Sequence, residues 1–456
     1  MTALDERSAD LVTSLPNVPV LTDPDVIESY RQDRAMDPDA PRPLAVVRAR
    51  GTEDVQAVLR WASAAGVPVV PRGAGSGLSG GATAIDGGIV LTTELMRGIT
   101  VDPVMRTAVV QPGLMNAEVK RAVAEYGLWY PPDPSSFEFC SIGGNAATNA
   151  GGLCCVKYGV TTDYILGLEV VLADGTAVRL GGPRLKDSAG LSLTKLFVGS
   201  EGTLGVITEL TLRLLPPQPP ASTVVASFSS VHDAAEAVCA VTRVMRPAML
   251  EFMDHASISA VESHLKMGLD LQAHAMLIAQ SDATGERDKE IAFMAEVFER
   301  HHATDVFTTD DPKEGEAFTA ARRFAIPAVE RLGHLLLEDV GVPLPALPAL
   351  IEGIEAIAER RAIVCAVIAH AGDGNTHPMI VHDPADADQS RRAHLAFGEI
   401  MELAIELGGT ITGEHGVGRL KKAWLPDQVG PDVMDLSRRI KRALDPQNIL
   451  NPGAVL

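Results

Sequence analysis

The chain is short of cysteine, of aromatic residues and of positive charge, and each shortage excludes something. Its five cysteines (Cys140, Cys154, Cys155, Cys239 and Cys365) show no Cys-x-x-Cys spacing. They support neither an iron–sulfur cluster nor a disulfide framework, so the expected compartment is a reducing one, the cytoplasm. Lysine and arginine number 39 against 59 acidic side chains, a net charge of −20. That balance argues against nucleic acid and anionic membrane surfaces as partners. Any anionic substrate must then be drawn in by a local cluster of cations. No apolar run approaches the length of a membrane span, and the start, Met1-Thr2-Ala3-Leu4-Asp5, is unlike a signal peptide. With 46% hydrophobic and only 4% aromatic residues, the composition is that of a soluble globular enzyme. At 456 residues it is too long for one ordinary core, and two or three domains are expected.

Residues 1–38 are polar and proline-dotted, and read as a poorly packed lead-in with one short helix near 24–33. From Pro43 the pattern becomes regular: a strand at 44–48, then a helix from Thr52 with Val55, Val58, Leu59 and Ala62 on one face. Gly66 ends that helix, and 67–70 is a strand. Residues 71–82 then hold five glycines, a backbone whose amides can surround an anion such as a pyrophosphate. It is not the dinucleotide fingerprint, because no obvious helix opens and no ribose-reading acid follows at the right distance. Strands at 88–92, 99–102 and 107–111 and a helix at 116–126 lead to a second small-residue segment, 131–152. A strand at 166–172, a turn at Ala173-Asp174-Gly175 and a third glycine-rich segment at 197–207 complete the first domain. The Pro216–Pro220 run marks a stiff boundary. Beyond it strands and helices alternate, with helices at 234–245, 290–299, 351–359 and 392–407, strands at 249–253 and 275–280, and a helical tail at 434–444.

The chemistry concentrates at 370–377, His-Ala-Gly-Asp-Gly-Asn-Thr-His. Two histidines seven apart in a helix would lie about 10 Å apart along its axis, too far to share an ion. Gly372-Asp373-Gly374-Asn375 forbids a stable helix and reads as a tight turn between strands at 362–369 and 376–381. Folded as a hairpin, the imidazoles of His370 and His377 can converge on one cation. Glu414, in Thr412-Gly413-Glu414-His415-Gly416, is the expected third ligand. Two histidines and a carboxylate with an open position make a catalytic divalent site, and His415 is left as a proton acceptor. The alternative is a pair of satisfied surface histidines beside a glycine turn.

The three small-residue loops, with Lys157-Tyr158-Gly159-Val160-Thr161, Leu444-Asp445-Pro446 and Asn451-Pro452-Gly453, resemble over essentially the whole chain one flavoprotein family. It is that of the FAD-linked oxidoreductases of the vanillyl-alcohol oxidase and p-cresol methylhydroxylase fold. The likeness is greatest to the catalytic subunit of glycolate oxidase and to D-lactate and D-2-hydroxyglutarate dehydrogenases. The resemblance implies an α+β fold: a two-subdomain FAD-binding domain (39–217) after the lead-in, and an α/β cap with an antiparallel sheet (221–410). A C-terminal helical segment (411–456) would return toward the flavin.

It further implies that Arg72, Gly73, Ala74, Gly75, Ser76, Gly77 and Leu78 cradle the FAD diphosphate. Pro132, Asp133, Ser136, Ser141, Gly143, Gly144, Asn145, Thr148, Gly151, Gly152 and Tyr158 would line the flavin, with Gly202, Gly205, Ile207 and Asn451 holding the remainder. Residues 71–90 contain no histidine, so FAD is expected to be non-covalent. The implied reaction is oxidation of a small D-2-hydroxy monocarboxylic acid to the 2-oxo acid, with hydride passing to flavin N5. A divalent metal (zinc, or manganese or iron) on His370, His377 and Glu414 would acidify the hydroxyl. His415 would take the proton, and Arg322 would clamp the carboxylate. Without a cysteine cluster, electrons are expected to leave to an external flavoprotein, iron–sulfur subunit or quinone-linked protein. A homodimer is one option for the assembly.

Two departures bear on the substrate. Relatives active on the five-carbon diacid carry Asn two residues after the second histidine, where this chain has Met379. Glycolate- and lactate-type relatives often carry a basic residue after Val-Pro, where this chain has Leu344-Pro345. The competing readings are a D-2-hydroxyglutarate-type dehydrogenase, a non-catalytic FAD subunit of a multi-protein oxidase, and a zinc hydrolase with structural glycine loops.

Overall fold

A computed structural model of the chain describes residues 3–456. They form two compact units, one made of the residues up to Gly151 with Val160–Pro217 and Glu414–Leu456, the other of Gly152–Gly159 and Gln218–Gly413.

The first unit holds two sheets. In the smaller, the strands run in the order Val20–Leu21, Ala45–Arg48, Ile89–Thr92, Val69–Arg72. The last three are mutually parallel, and Val20–Leu21 joins antiparallel. The helix Thr52–Ala65 crosses between two of them, burying Val55, Val58, Leu59 and Ala62 as their spacing requires, and stops where Gly66 turns to φ +61°. The second sheet is antiparallel, in the order Ile99–Asp102, Thr107–Val110, Val206–Arg213, Ile165–Val171, Ala177–Gly181. The lead-in departs from expectation. It is well packed: the helix Ala3–Ser14 drives Leu11 into the core of the smaller sheet, Leu15 follows, and Trp61 Nε1 donates to Asp10 Oδ2 at 2.8 Å. Leu11 on that helix and Leu15 just past its end dock it. The expected 24–33 helix is shorter, Pro24–Ile27 with one 3₁₀ turn after it.

The C-terminal segment belongs to this first unit. Its helix Leu425–Leu444 is broken at Gly430 (φ +81°) just before Pro431, and Leu450 then bridges in parallel to Val69.

The second unit is built on an antiparallel sheet in the order Ala303–Thr309, Ser222–Phe228, Ala275–Ser281, Met249–Asp254, Val364–His370, Asn375–His382, His334–Leu337. Val340–Gly341 pairs further along Asn375–His382. Because side chains alternate across a sheet, its two faces are read directly from register. On one, Phe228 meets Phe298 of the helix Arg287–Arg300 edge-on. On the other, Gln280 donates to Thr223 and to Thr319 of the helix Pro312–Arg323, at 3.2 Å each. Residues 152–159 join this unit because Lys157 and Tyr158 both bond Asp282. The unit therefore starts before 221, and it ends at Gly413, three residues past the expected limit. No helix among the described residues is long and apolar enough to cross a membrane.

Candidate active site

In the first unit, the strand Val69–Arg72 delivers the chain into the glycine loop. Arg72 closes that loop on itself: Nη1 donates to the carbonyls of Gln32 (3.0 Å) and Ala82 (3.3 Å), and the guanidinium lies 5.7 Å from the Tyr30 ring centroid. Buried Asp33 accepts from the Ala82 amide at 3.1 Å, and burial raises its carboxyl above the usual range. Ser141 Oγ accepts from the amides of Ala74 (3.1 Å) and Gly144 (3.3 Å), joining the first loop to the start of the helix Ile142–Thr148. A Cβ on Gly73 would fall 2.3 Å from that oxygen, so only glycine allows the two loops to meet. The half-buried amides of Gly75, Ser76 and Gly77 donate to no protein acceptor among the described residues. A row of unsatisfied N–H groups fits an anion such as a diphosphate.

The remaining expected flavin residues fall in several segments of both units. Gly143, Gly144, Asn145 and Thr148 lie on the helix Ile142–Thr148, with Pro132, Asp133 and Ser136 in the segment before it and Gly151 in the loop after it. Asn145 Oδ1 accepts from Asn116 Nδ2 (3.0 Å), which also reaches the Pro132 carbonyl (3.2 Å). Leu78 continues the glycine loop, Gly202 and Gly205 lie in the third loop, and Ile207 is on the strand Val206–Arg213. Gly152 and Tyr158 belong to the second unit. Asn451 ties three segments together: Nδ2 donates to the carbonyls of Gly81 (2.8 Å) and Glu201 (2.9 Å), and Oδ1 accepts from Arg419 Nη2 (3.0 Å).

Glu201 was not legible as a site residue. It is buried, and its carboxylate accepts from the amides of Val417 (2.7 Å) and Gly418 (2.8 Å), clasping the C-terminal segment. Burial outweighs those bonds and pushes the group up to about 7. A raised carboxyl binds more protons folded than unfolded between its unfolded value near 4.5 and 7, so its contribution to stability falls as pH rises through that window. The melting temperature of the native protein minus that of Glu201→Gln is therefore expected to decrease from pH 5 to pH 8. A difference that stays flat or grows would contradict it.

The second unit carries the histidines. The hairpin forms as the glycines require, between strands Val364–His370 and Asn375–His382, with Ile368 opposite His377 and His370 opposite Asn375. Both imidazoles thus lie on one face, ring centroids 5.0 Å apart, and both are nearly fully buried. Each has a buried carboxylate beside it. His370 Nδ1 donates to Glu251 at 2.9 Å from Oε1 and 3.0 Å from Oε2. Glu251, on the strand Met249–Asp254, also pairs with Arg322 Nη2 at 2.8 Å. On the other side, His377 Nδ1 lies 3.6 Å from Asp339 Oδ1. Asp339 in turn accepts from Asn375 Nδ2 (3.0 Å) and Thr412 Oγ1 (2.6 Å), and its carbonyl accepts from the Gly413 amide (3.1 Å). The result is a carboxylate–histidine–histidine–carboxylate row across adjacent strands. A carboxylate on Nδ1 leaves Nε2 of His370 to act as a ligand.

Glu251 and Asp339 were missed. The signal for Glu251 was a lone acid among Met249, Leu250, Phe252 and Met253, since a charge in a buried strand must be paired. Arg322, expected as a carboxylate clamp, is 1% exposed in the last turn of the helix Pro312–Arg323, on the sheet face that carries His370. Glu414 and His415 fall in the first unit, half-buried, with Glu414 Oε1 3.8 Å from His415 Nε2. Met379 is fully buried on the same sheet face as His377, while Leu344 and Pro345 lie in a 3₁₀ turn.

Comparison with known proteins identifies the family and the fold. Residues 43–181 match the model of an FAD binding domain, and residues 218–455 that of FAD linked oxidases, C-terminal domain. The glycolate oxidase subunit GlcD of Bacillus subtilis (strain 168) is 43% identical over 417 residues, covering 90% of this chain and 88% of that protein. A D-lactate dehydrogenase of Archaeoglobus fulgidus is 35% identical over 436 residues, covering 94% and 96%. Among solved structures, p-cresol methylhydroxylase superposes with a TM-score of 0.82 at 18% identity, covering 99% of this chain and 96% of that one. A 4-ethylphenol oxidase from Gulosibacter chungangensis gives 0.80 at 19%, covering 100% and 98%, so the fold is of this flavoprotein type. The chain belongs to the FAD-linked oxidase family, and it is an FAD-binding oxidoreductase.

Proposed function

We propose that this protein is an FAD- and divalent-metal-dependent dehydrogenase that oxidises a small D-2-hydroxy monocarboxylic acid, of the glycolate or D-lactate type, to the 2-oxo acid. The observation that carries the metal is the pair His370 and His377 on one sheet face, 5.0 Å apart and backed by Glu251 and Asp339. Glu414 supplies the third ligand. It is the next residue after Gly413, whose amide is fixed to Asp339 beside His377, and one trans peptide step spans only about 3.8 Å.

When bound, the flavin takes up two electrons and the cation makes a coordinated hydroxyl more acidic. His370, His377 and Glu414 hold the cation, zinc or in its place manganese or iron. His415 accepts the hydroxyl proton. Arg322, whose guanidinium also pairs with Glu251, binds the substrate carboxylate, which the −20 background would otherwise repel. An external acceptor would take the electrons.

Substrate size follows from the face around the histidines. A diacid needs a second cation or several donors, since an unpaired buried carboxylate costs several kcal/mol. Met379, Leu337 and Ala366 stand level there, and none offers a polar group. Flavin bleaching by D-lactate or glycolate is expected to be more efficient than by D-2-hydroxyglutarate, and L-isomers are expected to be poor. Higher efficiency on the diacid than on every monoacid would overturn the assignment.

The flavin is held without a covalent bond. Of the twelve histidines, only His415 lies in the first unit, and it is committed to proton transfer. Acid precipitation is expected to leave a yellow supernatant and a colourless pellet. Colour retained by the polypeptide would show the opposite.

A further inference from the structure

We propose that Arg322, Glu251 and His370 form a positioning relay, in which the guanidinium fixes the carboxylate and the carboxylate fixes the imidazole for cation binding. This rests on the proposed metal site and deepens it, for neither Arg322 nor Glu251 is needed as a ligand.

Glu251 is 0% exposed, between Leu250 and Phe252, each also at 0%. An acid in such a strand is costly, and well-packed apolar residues in place of a buried ion pair are often as stable or more so. Packing therefore does not account for it. Its contacts do. Both oxygens lie within 3.0 Å of His370 Nδ1, so the imidazole is gripped in one orientation and one tautomer, with the proton on Nδ1. Nothing in the strand pairing alone would choose between the two ring nitrogens. The same carboxylate receives Arg322 Nη2 at 2.8 Å, and Arg322 is itself 1% exposed and held by the helix Pro312–Arg323. A carboxylate with only one of these neighbours could rotate; with both it cannot. Removing either the guanidinium or the carboxylate therefore breaks the same chain of contacts at a different point. Substituting Gln for Glu251 keeps an acceptor for His370 but turns amide hydrogens or a neutral oxygen toward Arg322, so the pair no longer sets the ring.

The test is zinc binding to the FAD-loaded full chain, stripped with a chelator and titrated with Zn(II) against a chromophoric competitor. Glu251→Gln and Arg322→Met are each expected to weaken zinc by about 10- to 100-fold, the usual cost of losing an outer partner of a ligand histidine. The double variant is expected to be no weaker than the worse single one, because groups acting in one network are not additive. The flavin absorbance spectrum should not change in any of them. Losses that multiply in the double variant, or zinc affinity within threefold of wild type in either single one, would overturn the relay. Wild-type protein that takes up no zinc at all would instead overturn the metal reading of the site. Should Glu251→Gln not fold, Glu251→Asp keeps the charge but shortens the reach. It is then expected to weaken zinc by up to about 10-fold, and wild-type affinity in it would overturn the relay equally.

Discussion

His377→Ala is expected to cost more than about 100-fold in turnover while the flavin spectrum stays that of the native protein. The figure is a lower bound, because substituting mere outer partners of ligand histidines already costs 10- to 100-fold. His377 is 2% exposed and is one of three groups assigned to the cation, and the glycine loop that suits a diphosphate belongs to the other unit. The two losses should therefore separate: metal content falls below one per chain while FAD content holds at one. His415→Ala should show the complementary result, keeping the metal and losing rate. Full activity of either the His377 variant or the chelator-treated native protein would remove the metal from the mechanism.

Lys441→Met is expected to destabilise the first unit by about 3–5 kcal/mol, the usual cost of removing one member of a buried pair. Lys441 Nζ pairs with Asp445 Oδ2 at 2.5 Å and donates to the carbonyls of Thr203 (2.8 Å) and Leu450 (2.7 Å). Asp445, 1% exposed, in turn accepts from the amides of Ile449 (3.0 Å) and Leu450 (2.8 Å). Without the ammonium this carboxylate is left buried and unbalanced, next to the segments that hold Gly202 and Asn451. Urea unfolding read at the flavin absorbance should show the loss, and flavin should be released earlier in the titration. Adding Asp445→Leu should recover most of the stability, because the desolvated charge is then gone. A loss below 1 kcal/mol in the single variant would mean the clasp contributes little.

How much of this was legible depended on whether the signal was local. The His370–His377 hairpin could be read because Gly372 and Gly374 permit a turn and forbid a helix, and its strands fell within two residues of expectation. The helix at 52–65 and its buried face followed from spacing alone. Glu251 and Asp339 could not be placed the same way. Their roles depend on which strand lies beside which, and the pairing of Met249–Asp254 with Val364–His370 joins residues more than 100 apart. Leu11 was misjudged because a helix anchored by two leucines has little pattern to show. Glu201 has the same difficulty as Glu251: partners distant in sequence decide it.

The return of residues 414–456 to the first unit has a consequence for how the protein is made. Val69 accepts from the amide of Asn451 and donates to Ile449, both at 2.8 Å, so a strand laid down early waits for residues made much later. The second unit, almost wholly contiguous from Gln218 to Gly413, can condense on the ribosome before those residues emerge. During that interval the glycine loop lacks Asn451 against Gly81, and Glu201 lacks the amides of Val417 and Gly418. Flavin capture is therefore expected to wait for residues 414–456. A nascent chain stalled short of residue 414 should carry a folded, protease-resistant second unit and no FAD.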